Sequence, residues 1–228
     1  MLHAARFVYR ESAPSSDGFA RLPGFLINID AVIPFGLKIT YTVFVCALVP
    51  IYWRQYGPAN FLWFSDIALL VLVPALWMES ALLVSMMAVS VVLLEAVWNA
   101  DFFFRLATGR FLIGLSAYMF DPGIGLFIRG LSCFHIVLPL LLIWAVHRLG
   151  YDPRAFFWQT ILALVVLPFS YLVSNPQENV NWVYGFGQKP QSVLPGPLFV
   201  IFFMLLLPIA IYLPSHFLLG HVFRPPGF

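Results

Sequence analysis

The 228-residue chain is 61% hydrophobic and 10% charged, with a mean hydropathy of +0.90. Soluble domains carry about 25% charged residues, and a soluble core cannot absorb this much apolar surface. The net charge of +2 comes without a basic block or a basic–aromatic pattern, so no nucleic-acid partner is expected. This composition predicts an all-α polytopic membrane protein, with membrane lipid as its first partner.

Residues 1–30 read as a polar arm, carrying Arg6, Arg10, Glu11, Asp17 and Arg21 around a Ser-rich tract. No apolar region with a small-residue cleavage site follows, so targeting is expected to rest on the first membrane helix. Residues 31–222 form the expected transmembrane helical domain, and 223–228 a short tail. Six spans are predicted: Ala31–Trp53, Asn60–Met78, Ala81–Trp98, Gly130–His147, Ala155–Ser174 and Pro197–Leu219. Each is close to the ~20 residues that cross a ~30 Å hydrocarbon core. Lys38 near the start of the first span is expected to snorkel, and Tyr52-Trp53 at its end to sit in an aromatic belt. Prolines 50, 74, 139, 168, 208 and 214 predict kinked helices.

The stretch from Asn99 to Ile128 fits least simply. Asp101, Arg105 and Arg110 interrupt its aromatic first part, and Asp121-Pro122-Gly123 breaks the apolar run that follows. A re-entrant or interfacial segment near 111–123 is expected, the alternative being a broken seventh span reaching Ile128. Cys46 and Cys133 lie in apolar runs and read as small hydrophobes. Nothing in the sequence calls for a cofactor or a resident metal, and homo- or hetero-oligomers are both open.

Asp66 stands out because it opens an otherwise uncharged run from Phe61 to Met78. Intramembrane ionisable groups mark functional sites by default. Alternating spans place Ser65 and Asp66, Glu95 with Asn99 and Asp101, and His135 at similar depth on one side. The late loop with Glu178, Asn179, Asn181, Tyr184 and Lys189 hangs over the same side. The other side holds His147, Arg148, Asp152, Arg154 and His216, which read as interface anchors. Taken singly, Ser65 can back-bond to its own helix, His135 can be structural, Glu95 can pair with an arginine, and the asparagines can cap a turn. Taken together, they can do acyl chemistry. His135 can take the proton of Ser65, Asp66 or Glu95 can orient the imidazole, and Asn179, Asn181 and Tyr184 can hold the substrate or an oxyanion.

The order of these features resembles the transmembrane acyltransferases and androgen-induced-type lipid hydrolases, together with their bacterial integral membrane relatives. The similar stretches are Phe61-Leu62-Trp63-Phe64-Ser65-Asp66, Cys133-Phe134-His135, Asn181-Trp182-Val183-Tyr184, Lys189-Pro190 and Gly196-Pro197. The resemblance implies a nucleophile at Ser65, where the family more often has Cys or Thr. Trp98-Asn99-Ala100-Asp101 stands where the family has a Pro-Asp turn, and Asn181-Trp182 where it has Asn-Tyr.

Two functions follow as expectations. One is a lipid acyl hydrolase or acyltransferase using Ser65 and His135; the other is a non-catalytic complex subunit, assembly factor or small-molecule carrier. A metal-dependent hydrolase using His135, His216 and His221 is disfavoured, because the six-span map puts the last two on the opposite side. Arg and Lys divide seven to five in favour of the side holding both termini. That division suggests cytoplasmic termini, in a bacterial inner membrane.

Overall fold

The computed structural model describes residues 32–187 and 190–223, and the backbone of a small antiparallel pairing between Arg21–Leu22 and Phe25–Leu26. The rest of the polar arm, Lys189 and the tail beyond Phe223 lie outside the described residues. Helices dominate, as the composition requires: α1 (Phe35–Tyr56), α2 (Phe64–Trp77), α3 (Ala81–Thr108), α4 (Leu126–Ser132), α5 (Phe134–Leu149), α6 (Ala155–Val173), α7 (Gly196–Leu207) and α8 (Leu213–Val222). Helices α4 and α5 run on across Cys133, and a π-helical turn, Pro208–Tyr212, joins α7 to α8. Among the described residues this makes five helices long and apolar enough to cross a membrane, with α2 as a shorter sixth. The chain is therefore an integral membrane protein. Val43, Leu140, Val165, Leu172, Leu205 and Phe217 all point outward, giving an exterior that suits lipid.

The bundle is built around α3. Its buried positions Val84, Met87, Ala88, Val91, Glu95 and Trp98 recur at helical spacing and form one stripe. It packs on α2, α5, α6 and α8. Half of its most apolar window is buried, against 28% for each of the other four long helices. Ser80 Oγ caps its start by accepting from Leu83 N at 3.3 Å, and Gly109 at φ 73° ends it.

Three expectations about the spans and their connections change. The second span does not begin at Asn60: a 3₁₀ turn, Pro58–Leu62, and an extended Trp63 precede a helix that starts at Phe64. Fourteen residues give α2 a length of ~21 Å, short of a ~30 Å core. The third span runs ten residues past Trp98, so Asn99, Asp101 and Arg105 are helical. Finally, the re-entrant or interfacial segment expected near 111–123 is a folded-back loop with one 3₁₀ turn, Ala117–Phe120, and among the described residues no seventh span runs through it. The physical reason is Asp101, whose buried carboxylate collects the amides of that loop.

At the opposite end, Lys38 does not snorkel. It is buried and donates to Glu79 Oε1 at 2.7 Å, while the backbone N–H groups of Val32 and Ile33 donate to the same carboxylate at 3.1 and 3.2 Å. Burial opposes ionisation of Glu79, but the lysine and the two amides outweigh it and hold the carboxyl below its ordinary value. Tyr52, expected in an interfacial belt, is instead buried with its hydroxyl 2.7 Å from Ser132 Oγ, whereas Trp53 faces outward. Cys46 also faces outward, so it is not a buried small hydrophobe, and both cysteines are free.

Candidate functional site

The start of α2 is fixed from far away in sequence. Asn181 Oδ1 accepts from Phe64 N at 3.1 Å, and its Nδ2 donates to Leu62 O at 2.7 Å and to Ser170 Oγ at 3.3 Å. Asn181 adopts φ 53°, a left-handed conformation that asparagine tolerates better than most residues. The residue thus caps α2 from the late loop and ties both to α6. Ser65 and Asp66 follow directly, and their backbone N–H groups have no acceptor among the described residues. Such N-terminal amides suit a partial negative charge.

Asn179 organises the loop itself. Its Nδ2 donates to Gly185 O at 2.7 Å and Gly187 O at 3.1 Å, and its Oδ1 accepts from Tyr184 N at 2.9 Å. Tyr184 in turn donates its hydroxyl to Tyr171 O and Ser174 O, at 2.6 and 2.9 Å. The donors expected to hold an oxyanion are therefore committed to main-chain carbonyls or to the Ser170 hydroxyl.

His135 opens α5 and meets α3 face to face. Its Nδ1 lies 2.9 Å from Glu95 Oε1 and 3.0 Å from Oε2. The ring stacks on Trp98 at 4.8 Å and on Phe134 at 4.1 Å. Asn99 Nδ2 donates to the carbonyls of both Glu95 and His135 at 2.8 Å, which locks the two helices at this level. With Nδ1–H directed at the carboxylate, Nε2 is left as the basic atom, and it has no partner among the described residues.

These elements surround a cavity of about 1030 Å³. Ser65, Asp66, Glu95, His135, Asn179 and Asn181 all line it, and Tyr184 does not. Toward the loops its wall is polar. Toward the bundle interior it is apolar, formed by Val91, Phe203, Leu206, Leu207, Ala210 and Ile211. The short α2 makes this space: irregular backbone at membrane depth is tolerated where it lines a cavity. Three buried polar atoms at the wall have no hydrogen-bond partner among the described residues: Asp66 Oδ1, Tyr56 Oη and Trp98 Nε1. Asp66 is buried, and its Oδ1 makes no hydrogen bond among the described residues.

The cover over the cavity was not legible in the sequence. Asp101 Oδ1 accepts from the backbone N–H of Leu112, Ile113 and Gly114, and Oδ2 from the N–H and hydroxyl of Ser116, at 2.7–3.0 Å. The loop so gathered brings Ile113, Leu115, Ala117 and Tyr118 to the wall. Burial, and then neighbours including Tyr52 and Glu95, push the Tyr118 phenol well above its ordinary value. Tyr56, Trp98 and Tyr118 were missed because aromatic residues make up 18% of the chain and give no contrast.

Ser65 Oγ makes no hydrogen bond to His135, or to any other described residue. His216 lies at the opposite end, with Nδ1 2.6 Å from the Tyr151 hydroxyl. Among the described residues no three His, Cys, Asp or Glu side chains converge on a point that could hold a metal. No family model, curated protein or solved structure matches the chain.

Proposed function

We propose that the protein is a membrane-embedded lipid acyl hydrolase or acyltransferase in which His135 is the proton acceptor and Ser65 the acyl acceptor. The observation that carries this reading is the Glu95–His135 pair, with both carboxylate oxygens on Nδ1 and Nε2 left unbonded at a cavity that Ser65 also lines. His135 Nε2 takes the proton of Ser65 Oγ as that oxygen bonds to the acyl carbonyl carbon. The imidazolium, stabilised by Glu95, returns the proton to the departing alcohol oxygen as the ester C–O bond breaks. Water or a second lipid hydroxyl then takes the acyl group and restores Ser65. The N–H groups of Ser65 and Asp66 replace the Asn179 and Asn181 amides as donors to the developing oxyanion. The resemblance to transmembrane acyltransferases and androgen-induced-type lipid hydrolases supports the same reading. With it go a bacterial inner membrane and cytoplasmic termini, on the seven-to-five division of basic residues.

A fluorophosphonate probe tests this on the purified full chain. Labelling is expected at Ser65, lost in Ser65→Ala and in His135→Ala. A folded protein that is never labelled rejects the reading.

A second reading rests on the missing Ser65–His135 hydrogen bond. The cavity then holds an amphipathic molecule without acting on it, and the protein is a carrier or a subunit that keeps its ligand in the membrane. Binding of an amphiphile with no labelling under any condition would select this reading.

A further inference from the structure

The charges around the cavity are unevenly signed. Asp66, Glu95, Asp121 and Glu178 contribute to its lining, and among the described residues no lysine or arginine does. Glu95 is already answered by His135. Asp121 and Glu178 stand exposed near the loop end of the wall. Asp66 is different: it is 4% exposed, and its Oδ1 has no hydrogen-bond partner among the described residues. A carboxylate held that way costs stability unless something arrives to pair with it.

A phosphodiester headgroup suits this wall less well, since among the described residues no lysine or arginine lines it and Asp66 and Glu95 would repel it. An ammonium is the right one. It would pair with Asp66, and the aromatic rings that share the wall, among them Tyr56, Trp63 and Tyr118, can attract a desolvated cation. The remaining orphans ask for an oxygen. Trp98 Nε1–H can only donate, and Tyr56 Oη can do so as well, so both suit the carbonyl of an ester or amide. From Phe203 to Ile211 the apolar wall extends over ~12 Å of helical rise, enough to take an alkyl chain.

We propose that the cavity binds a cationic amphiphile: an acyl ester or amide whose polar part carries an ammonium group, with Asp66 as its counter-ion and the α7 side of the cavity as its chain pocket. As a substrate assignment this rests on the acyl-transfer reading above. As a binding site it stands on Asp66 and the wall alone. Glu178 and Asp121, at the mouth, favour entry of the cation.

The test is equilibrium binding of dodecyltrimethylammonium to the full chain in nanodiscs of zwitterionic lipid, beside dodecanoate and dodecanol of the same chain length. The ammonium is expected to bind at least tenfold tighter than either comparator. Asp66→Asn is expected to lower its affinity at least tenfold, and Asp152→Asn, at the far end of the bundle, to change it less than twofold. Equal binding of the three amphiphiles overturns the proposal, whatever the variants do. So does undiminished ammonium binding by Asp66→Asn. Fluorophosphonate labelling of the same preparation separates the two claims. Selective ammonium binding without labelling keeps this site and rejects the acyl chemistry; labelling without ammonium selectivity does the reverse.

Discussion

Glu95 holds the Nδ1 edge of His135 with both carboxylate oxygens, at 2.9 and 3.0 Å, across the α3–α5 interface. A bifurcated contact of this kind fixes both ring orientation and tautomer. Glu95→Gln keeps the size of the side chain but removes the negative charge that stabilises the imidazolium formed on proton transfer. Fluorophosphonate labelling of Ser65 is expected to slow by about 100-fold, the usual weight of a general base. The melting temperature should barely move, because an amide can still hydrogen-bond the ring. A parallel loss of folding would make the pair structural only.

Asp101 is the second acid that carries a local structure. Removing its carboxylate orphans four backbone N–H groups and a hydroxyl at once. Asp101→Ala is expected to cost about 2 kcal/mol, since the Ser116 donors are left buried without an acceptor and the Leu112, Ile113 and Gly114 amides are only partly buried. The loss should be local first. Limited proteolysis ought to cut between Arg110 and Ile124 in the variant well before the wild type, and amphiphile binding should weaken with it.

How far the sequence foretold this molecule follows the range of the interactions involved. Hydropathy is local, so the long apolar helices were legible, as was the depth shared by Ser65, Asp66, Glu95 and His135. The true start of α2 was not, because it is set by Asn181, 117 residues away. Nor was the extension of α3, where helical residues carry charges that composition assigns to a loop. The roles of Asn179 and Asn181 stayed open for a chemical reason. A side-chain amide serves equally as an oxyanion donor or as a cap, and only the folded chain shows which groups it already serves.

Asn181→Ala removes three hydrogen bonds that link Leu62, Phe64 and Ser170, and also puts alanine at φ 53°. The expected cost is about 2–3 kcal/mol, from an orphaned helix N-terminus and a left-handed alanine. Asn181→Asp is the informative partner. It keeps the acceptor for Phe64 N but loses the donor to Leu62 O, so its melting temperature should fall between those of Ala and wild type. An Asp variant no better than Ala would mean that capping of α2 is not what Asn181 contributes.

The Lys38–Glu79 pair predicts a pH dependence at the opposite end. Glu79 has its carboxyl depressed in the folded state, so its contribution is complete above the ordinary carboxyl value of 4.5. That contribution is lost as pH falls through the lower folded value. Glu79→Gln is expected to cost about 1–2 kcal/mol at pH 7, for a charge-assisted contact and two weakened amide bonds. The gap between wild type and variant should close as thermal melts are repeated from pH 5 down to pH 3. A constant gap across that range would mean that the charge of Glu79 does not matter.

The sharpest test concerns Asp66, because a partnered and an unpartnered acid lead to opposite expectations. A partnered acid would make Asp66→Ala more damaging to folding than Asp152→Ala, whose carboxylate binds Arg154 in an exposed turn. In the structure, however, Asp66 is buried with Oδ1 unbonded, and its neighbours include Glu95, a second acid. Its position in the first turn of α2 recovers part of that cost through the helix dipole, typically ~0.3–1 kcal/mol. Desolvation of an unpaired polar group costs more, about 1–3 kcal/mol. Asp66→Asn and Asp66→Ala are therefore expected to melt at or above the wild-type temperature without ligand, while Asp152→Ala melts slightly below it. Adding the alkylammonium should reverse the order, stabilising the wild type and leaving both Asp66 variants unmoved. If Asp66→Ala instead unfolds readily in the absence of ligand, the carboxylate is a structural element of α2 and not a counter-ion for a cationic ligand.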